Sequence, residues 1–263
     1  MDWTKSLAIV SDEAAPRFGD AVAHCLPLGI RAYELRNLDG RRVPYVSEEQ
    51  IAEVQRLSVE HGLQLLGLSP GLAKGAVDDP ASARELTTDL DAALRLGQRL
   101  DVPRLTLFTF KRTSREAPIP QHALDALGGA VARCRAADIE PLLENSAASW
   151  GDTGAHVAEL AAALDVGITW DPANAAASGE LAFPEGYAAV RDHVAHLHVK
   201  AWHPQGGHVH LGQGVVDWPG QLAALQADGY QGRFCIESHR WDDPTATRVA
   251  TRQLLAWLRD LKT

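Results

Sequence analysis

The segment HLHVKAW, residues 196–202, places two histidines and a lysine at alternate positions of an otherwise apolar run. Because alternate side chains of an extended strand point to the same side, His196, His198 and Lys200 should share one face. A neutral imidazole binds metal ions, and an ammonium group holds a developing oxyanion. The spacing therefore predicts that this strand presents reactive groups to a polar cavity.

Acidic residues follow four other apolar runs, at Glu34, Glu144, Asp171 and Glu237. An unpaired charge is costly there, so an ion pair at the rim of the sheet is one explanation for each acid. If the strands close into a barrel, the last three acids converge with His198. Converging carboxylates raise one another's pKa unless a cation lies among them. One nitrogen and three carboxylates suit a divalent metal ion, with Mn²⁺ preferred and Mg²⁺, Co²⁺ or Zn²⁺ as alternatives.

Eight short β-rich segments would carry these residues, separated by amphipathic stretches with helical spacing. The segments are SLAIVS, RAYELR, LQLLGLS, RLTLFTF, IEPLLEN, VGITWD, VAHLHVK and RFCIES. Strands that alternate with helices predict an α/β fold with parallel strands, and the length suits a single-domain (β/α)₈ TIM barrel over residues 1–263. A doubly wound open sheet is the alternative, but SDEAAPRFG lacks its glycine-rich fingerprint after the first strand.

Composition narrows the classes of partner. A formal net charge of −9 argues against a surface that neutralises nucleic-acid phosphates. The three cysteines lack CxxC spacing, which favours a reducing compartment. The N-terminus is unlike a signal peptide, and no apolar run approaches the roughly 20 residues that span a bilayer. We therefore expect a cytoplasmic protein without a nucleic-acid or membrane partner.

Several motifs in order along the chain carry a resemblance to a known family. They are AIVSDEA, GIRAYELRNLDG, PLLENS, TWDPAN, HLHVK and the closing HLGQGVVDWPGQLAALQADGYQGRFCIES. With them the chain resembles the xylose isomerase-like TIM barrels, specifically the sugar phosphate isomerase/epimerase group. That group includes ketose 3-epimerases, hydroxypyruvate isomerases, inosose dehydratases and dehydroshikimate dehydratases.

The resemblance implies a metal-dependent isomerase or epimerase of a sugar or related hydroxy-carbonyl compound. Glu144, Asp171, His198 and Glu237 would bind the metal. Glu144 and Glu237 would remove and return the proton beside the metal-bound carbonyl, through an enediolate, and Lys200 would assist as a catalytic or substrate-binding group. Its alternative role is a salt bridge at the rim. A homodimer is a further expectation from the family.

Other polar residues near the strand ends are candidate substrate contacts: Glu34, Arg36, Asn174, Trp202, His210 and His239. Glu34 and Arg36 could instead pair at the rim, His239 could cap the following helix, and Trp202 could simply cover the barrel. His196 is expected to be a hydrogen-bonded layer residue and Cys235 a small buried core residue.

Three alternative functions are compatible with the same barrel. A metal-dependent dehydratase, similar to inosose or dehydroshikimate dehydratases, shares the first proton transfer and then expels a hydroxyl group. An apurinic endonuclease needs additional histidines at strand ends and a basic surface, which the sequence does not supply. A non-catalytic binding protein on a retained barrel is the remaining alternative.

Overall fold

Eight parallel strands form a closed barrel in the computed structural model, which describes residues 2–114 and 117–261. They are β1 (Leu7–Val10), β2 (Ala32–Leu35), β3 (Gln64–Leu72), β4 (Arg104–Leu107), β5 (Glu140–Glu144), β6 (Gly167–Trp170), β7 (Val194–Val199) and β8 (Phe234–Ile236). Each strand pairs with its neighbours in the chain, and β8 closes the barrel on β1 through the register Leu7↔Phe234. The predicted single-domain (β/α)₈ barrel is confirmed.

Helices follow the strands as the amphipathic pattern predicted. They are α1 (Ser11–Ala14), α2 (Phe18–Cys25), α3 (Glu48–His61), α4 (Pro80–Arg84), α5 (Leu90–Arg99), α6 (Gln121–Ala136), α7 (Gly154–Leu164), α8 (Pro172–Ala177), α9 (Tyr187–Val190), α10 (Trp218–Ala227) and α11 (Ala246–Asp260). Ser47 begins α3 with a capping box that includes Gln50, and Gly62 ends it in the left-handed conformation. Within the described ranges, every helix is too short or too polar to cross a bilayer.

Two short hairpins extend the chain after β2 and β7. Asn37–Leu38 pairs antiparallel with Arg41–Arg42, and Trp202–His203 pairs with Gly207–His208. The first hairpin turns through Asp39 and Gly40, which both have positive φ. Because both hairpins follow the carboxyl ends of barrel strands, they stand on the side where TIM barrels carry their sites.

The interior of the barrel differs from the shell around it. The main apolar core includes side chains of the barrel strands and of the outer helices, whereas Ala8, Val10, Ala32, Leu66 and Cys235 form a separate small cluster. Cys235 is fully buried, which confirms its prediction as a core residue. The small side chains of this cluster leave room within the barrel for larger polar groups.

Candidate metal centre and substrate cavity

A buried polar layer contains one acid and two histidines. Nε2 of His196 and Nε2 of His198 both lie within hydrogen-bonding distance of Glu34 Oε2, at 3.0 and 3.1 Å. Burial alone favours a protonated carboxyl, but the two histidines outweigh it and hold the pKa of Glu34 below its usual range. Burial lowers the pKa of His196. His196 is thus a hydrogen-bonded layer residue, as expected from the sequence.

Four side chains with metal-binding atoms gather beside this layer. One such atom from each of Glu144, Asp171, His198 and Glu237 lies within 4.8 Å of the others, and all four residues are buried. Glu144 ends β5, while Asp171 and Glu237 directly follow β6 and β8. His198 Nδ1 is 3.5 Å from Glu144 Oε1 and 3.4 Å from Glu237 Oε2. The predicted convergence of these strand ends is therefore present.

Lys200 supplies a positive charge to two of the carboxylates. Its Nζ lies 2.5 Å from Asp171 Oδ2 and 2.7 Å from Glu237 Oε2, and the residue is only 2% exposed. Burial disfavours the ammonium, but the two carboxylates outweigh it and raise the pKa of Lys200 above its ordinary value. From the sequence, the neutralising charge was expected from a metal ion, with a salt bridge as the alternative role of Lys200. Lys200 provides part of it.

Arg36 anchors the carboxylate of Glu237 from the other side. Its Nη1 donates to Glu237 Oε1 at 2.7 Å, and its Nη2 donates to Glu13 Oε1 at 2.6 Å and to Asp12 Oδ2 at 2.9 Å. His239 Nε2 is 3.1 Å from Glu237 Oε1. Although burial would raise it, the surrounding cations hold the pKa of Glu237 well below its usual range. Glu237 is therefore a fixed, ionised carboxylate.

Asn145 positions Asp171 through its backbone. Asn145 Nδ2 donates to Asp171 O and Asp171 N donates to Asn145 Oδ1, both at 2.8 Å. Asp171 Oδ1 then caps α8 by accepting from the backbone N–H groups of Ala173 and Asn174, which leaves Oδ2 for Lys200. The Asn174 amide donates to Asn145 O at 2.9 Å and reaches Glu144 Oε1 at 3.5 Å. Sequence reasoning noted the ENS motif but gave Asn145 no role.

A cavity of about 250 Å³ opens onto this cluster. Its lining includes four of the candidate substrate contacts, which are Arg36, Asn174, Lys200 and His239, together with Glu144 and Glu237. It also includes Arg42 and Phe108, which were not predicted from the sequence, together with Lys74 and the exposed ring of Trp241. The signal for Arg42 was present in NLDGRR, because a turn at Asp-Gly predicts a hairpin that returns the arginines to the site.

Three candidate substrate contacts lie outside the cavity lining. Glu34 is held in the polar layer because its strand register, opposite Val10, places it inside the barrel. Trp202 belongs to the second hairpin and is half-buried. His210 Nε2 lies 3.0 Å from Asp243 Oδ2, and both side chains are half-buried. These three side chains do not line this cavity, and their role as substrate contacts stays a prediction.

The donor atoms of the cluster fit a divalent cation. His198 Nδ1 is buried without a hydrogen-bond partner among the described residues. The other ring nitrogen faces Glu34, and such a carboxylate partner is typical of a metal-ligating histidine. The carboxylates of Glu144, Asp171 and Glu237 add the oxygen ligands that hard cations prefer. These four residues could therefore hold a divalent metal ion.

Comparison with known proteins shows which family model the chain matches and which solved structures share its fold. The chain matches the model of the xylose isomerase-like TIM barrel family over residues 22–261. It is similar to the structure of an L-ribulose 3-epimerase, with a TM-score of 0.78 and 17% identity over 97% of this chain and 95% of that one. It is also similar to a probable 3-DHS dehydratase from Bacillus anthracis, with a TM-score of 0.73 and 14% identity over 98% and 99% of the chains.

A further similar structure is a xylose isomerase-like TIM barrel protein from Mycobacterium smegmatis in complex with magnesium. Its TM-score is 0.72, with 15% identity over 98% of this chain and 97% of that one. No curated protein sequence matches the chain. At these identities the likeness to solved structures shows a shared fold, and the family model covers most of the chain. The protein belongs to the xylose isomerase-like TIM barrel family.

Proposed function

We propose that the protein is a metal-dependent isomerase or epimerase of a sugar or related hydroxy-carbonyl compound. The observation that carries the proposal is the buried set of Glu144, Asp171, His198 and Glu237, of which Glu144 and Glu237 also line the cavity. A small polar cavity beside such a cluster suits a small hydroxylated molecule. The cytoplasmic location and the homodimer stay predictions from the sequence.

The metal ion in this proposal is held by His198 Nδ1 and by oxygens of the three carboxylates. When bound, a divalent cation supplies Lewis-acid chemistry that acidifies the proton beside a substrate carbonyl. The predominance of oxygen ligands favours Mn²⁺ or Mg²⁺. Support for a divalent cation also comes from the similar fold that was crystallised with magnesium.

Glu144 and Glu237 are the proposed acid and base, and their surroundings differ. Both oxygens of Glu237 face cations, Arg36 at 2.7 Å on one side and Lys200 at 2.7 Å on the other. Glu144 Oε1 instead faces the Asn174 amide and the His198 ring, both at 3.5 Å. A carboxylate outside strong ion pairs accepts a proton more readily. We therefore assign the first proton abstraction to Glu144, which would later release that proton to solvent. Because Glu237 is ionised, it would return a proton only after accepting one, and His239, with Nε2 at 3.1 Å from Glu237 Oε1, is the neighbouring donor that solvent would reprotonate.

Dehydration is the second candidate function, and His239 favours it. Elimination of a hydroxyl group needs a proton donor near the leaving group. His239 lines the cavity, and its Nε2 lies 3.1 Å from Glu237 Oε1. This pair could deliver a proton to a departing hydroxyl. The fold similarity to a probable 3-DHS dehydratase is compatible with this second candidate.

A screen in D₂O separates the candidates. The Mn²⁺-loaded protein is incubated with a panel of hydroxy-ketones and hydroxy-aldehydes, and the products are analysed by NMR and mass spectrometry. Isomerisation or epimerisation gives a product with the elemental composition of the substrate, apart from deuterium at the enolised carbon. Dehydration gives a product that has lost one water molecule. Chelation should abolish either reaction, and Mn²⁺ should restore it. Unchanged activity after exhaustive chelation would contradict the metal-dependent mechanism.

A further inference from the structure

Two cations beside the cavity, Arg42 and Lys74, differ from the others because no acidic residue among residues 2–114 and 117–261 pairs with them. Arg36 and Lys200 are fully engaged with carboxylates. By contrast, the side chains of Arg42 and Lys74 make no hydrogen bond or ion pair with any residue in the described ranges. Nε and Nη2 of Arg42 are buried and unpartnered. Arg42 is half-buried, whereas Lys74 is exposed. Leaving the buried donors of Arg42 unsatisfied is costly, so the surroundings of Arg42 indicate a missing partner.

The fold holds these two side chains from separate segments. Arg42 comes from the hairpin after β2, and its guanidinium packs on Gly71 near the end of β3. A Cβ at Gly71 would lie 3.0 Å from Arg42 Nη2, and the φ of Gly71 is +83°. Lys74 follows shortly after, with its ammonium 3.9 Å from the centroid of the Phe108 ring. Both side chains line the cavity, and Lys74 is close enough to Arg42 for the guanidinium charge to lower its pKa.

We propose that Arg42 and Lys74 form an anion subsite that binds a carboxylate or phosphate group of the substrate. The inference rests on the proposed function and narrows it to hydroxy-carbonyl compounds that carry a negative charge. A guanidinium offers a planar fork of donors to an oxyanion, and a lysine adds a mobile point charge. The remaining cavity groups, Glu144 and Glu237 among them, would face the neutral, reacting part of the molecule.

The surrounding charges support an anion from outside the chain. Asp12 and Glu13 are already engaged with Arg36, and Asp39 in the turn of the first hairpin pairs with Arg17. Burial lowers the pKa of both Arg42 and Lys74. A neighbouring arginine adds to the effect in each case, and the carboxylates of Glu144 and Glu237 oppose it without reversing it. A bound oxyanion would stabilise the charged forms of both side chains. The cavity, at about 250 Å³, is slightly smaller than the roughly 300–1,000 Å³ typical of ligand sites, which suits a compact substrate.

The test measures binding of three probes that lack a carbonyl and so cannot be enolised. Glycerol, glycerate and glycerol 3-phosphate share a carbon skeleton and differ in charge. Isothermal titration calorimetry on the Mn²⁺-loaded protein should show at least one anion binding about tenfold or more tightly than glycerol. Arg42→Gln and Lys74→Gln should each weaken the binding of that anion by about tenfold, as expected for loss of one charge-assisted contact. Neither substitution should change the affinity for glycerol.

Matched controls are Arg41→Gln, on the same hairpin but exposed, and Lys111→Gln, an exposed lysine outside the cavity lining. Both should bind the anions as the wild type does.

Tighter binding of glycerate identifies a carboxylate subsite, and tighter binding of glycerol 3-phosphate identifies a phosphate subsite. Equal binding of all three probes, no anion binding, or equal losses in the control variants would overturn the subsite. Chelator-resistant activity in the screen above would instead overturn the proposed function, because this test measures no turnover.

Discussion

Replacement of Lys200 by methionine should reveal how the charge of the central cluster is balanced. Methionine has a similar length but no charge, so Asp171 and Glu237 would lose the ammonium that lies 2.5 and 2.7 Å away. Removal of one partner from a buried ion pair costs about 3–5 kcal/mol. For a domain of this size that corresponds to a fall in Tm of roughly 10 °C. We expect this loss in metal-free protein.

A bound divalent cation should offset much of the loss, because it neutralises the same carboxylates. The Mn²⁺-induced rise in Tm should therefore be larger in Lys200→Met than in the wild type. Acidification should also restore part of the lost stability in the metal-free Lys200→Met variant. Burial already raises the pKa of Asp171 in the native state, so its protonated form contributes stability at low pH that is lost as the pH rises through the folded-state pKa.

The assay is thermal unfolding of wild type, Lys200→Met and the exposed-site control Lys111→Met, each with and without Mn²⁺. The control should match the wild type under both conditions. If Lys200→Met were equally destabilised with and without Mn²⁺, the metal would not share the carboxylates with Lys200. A variant as stable as the wild type without metal would show that the ammonium does not balance the cluster.

Further predictions concern the ligands and the buried thiols. Glu34→Gln should weaken Mn²⁺ binding about 10- to 100-fold in calorimetry, because Glu34 orients His198. The control Glu140→Gln, at an exposed site, should bind Mn²⁺ as the wild type does. An unchanged Mn²⁺ affinity in Glu34→Gln would refute this role of Glu34. Glu144→Gln and Glu237→Gln should each lower kcat by at least about 100-fold, and near wild-type turnover in either would refute the acid–base pair. Burial raises the pKa of Cys134 to about 12, so iodoacetamide should label the native cysteines slowly and denatured protein rapidly, as mass spectrometry would show.

The barrel and the convergence of the cluster were predictable because both depend on strand periodicity. Once eight parallel strands are inferred, their carboxyl ends meet at one side, and the polar residues Glu144, Asp171 and Glu237 must approach His198. The pattern even predicted that His196 is a layer residue, since it lies two positions earlier on the same face.

The pairing of individual charged side chains could not be predicted from the sequence, because it depends on how far each side chain extends across the barrel. Arg36 and Glu237 are 201 residues apart, and nothing in their local sequence indicates that they bond. Glu34 could face the rim or the layer, and its register with Val10 decides between them. The positions of Arg42 and Lys74 depend on the hairpin and on close packing at Gly71, which local propensities do not determine.

The most direct test of the account is anomalous diffraction from crystals grown with Mn²⁺. We predict one strong anomalous peak within bonding distance of His198 Nδ1 and of carboxylate oxygens from Glu144, Asp171 and Glu237. Absence of a peak there, with the Lys200 ammonium still bound between Asp171 and Glu237, would contradict the proposal that this cluster is a metal centre.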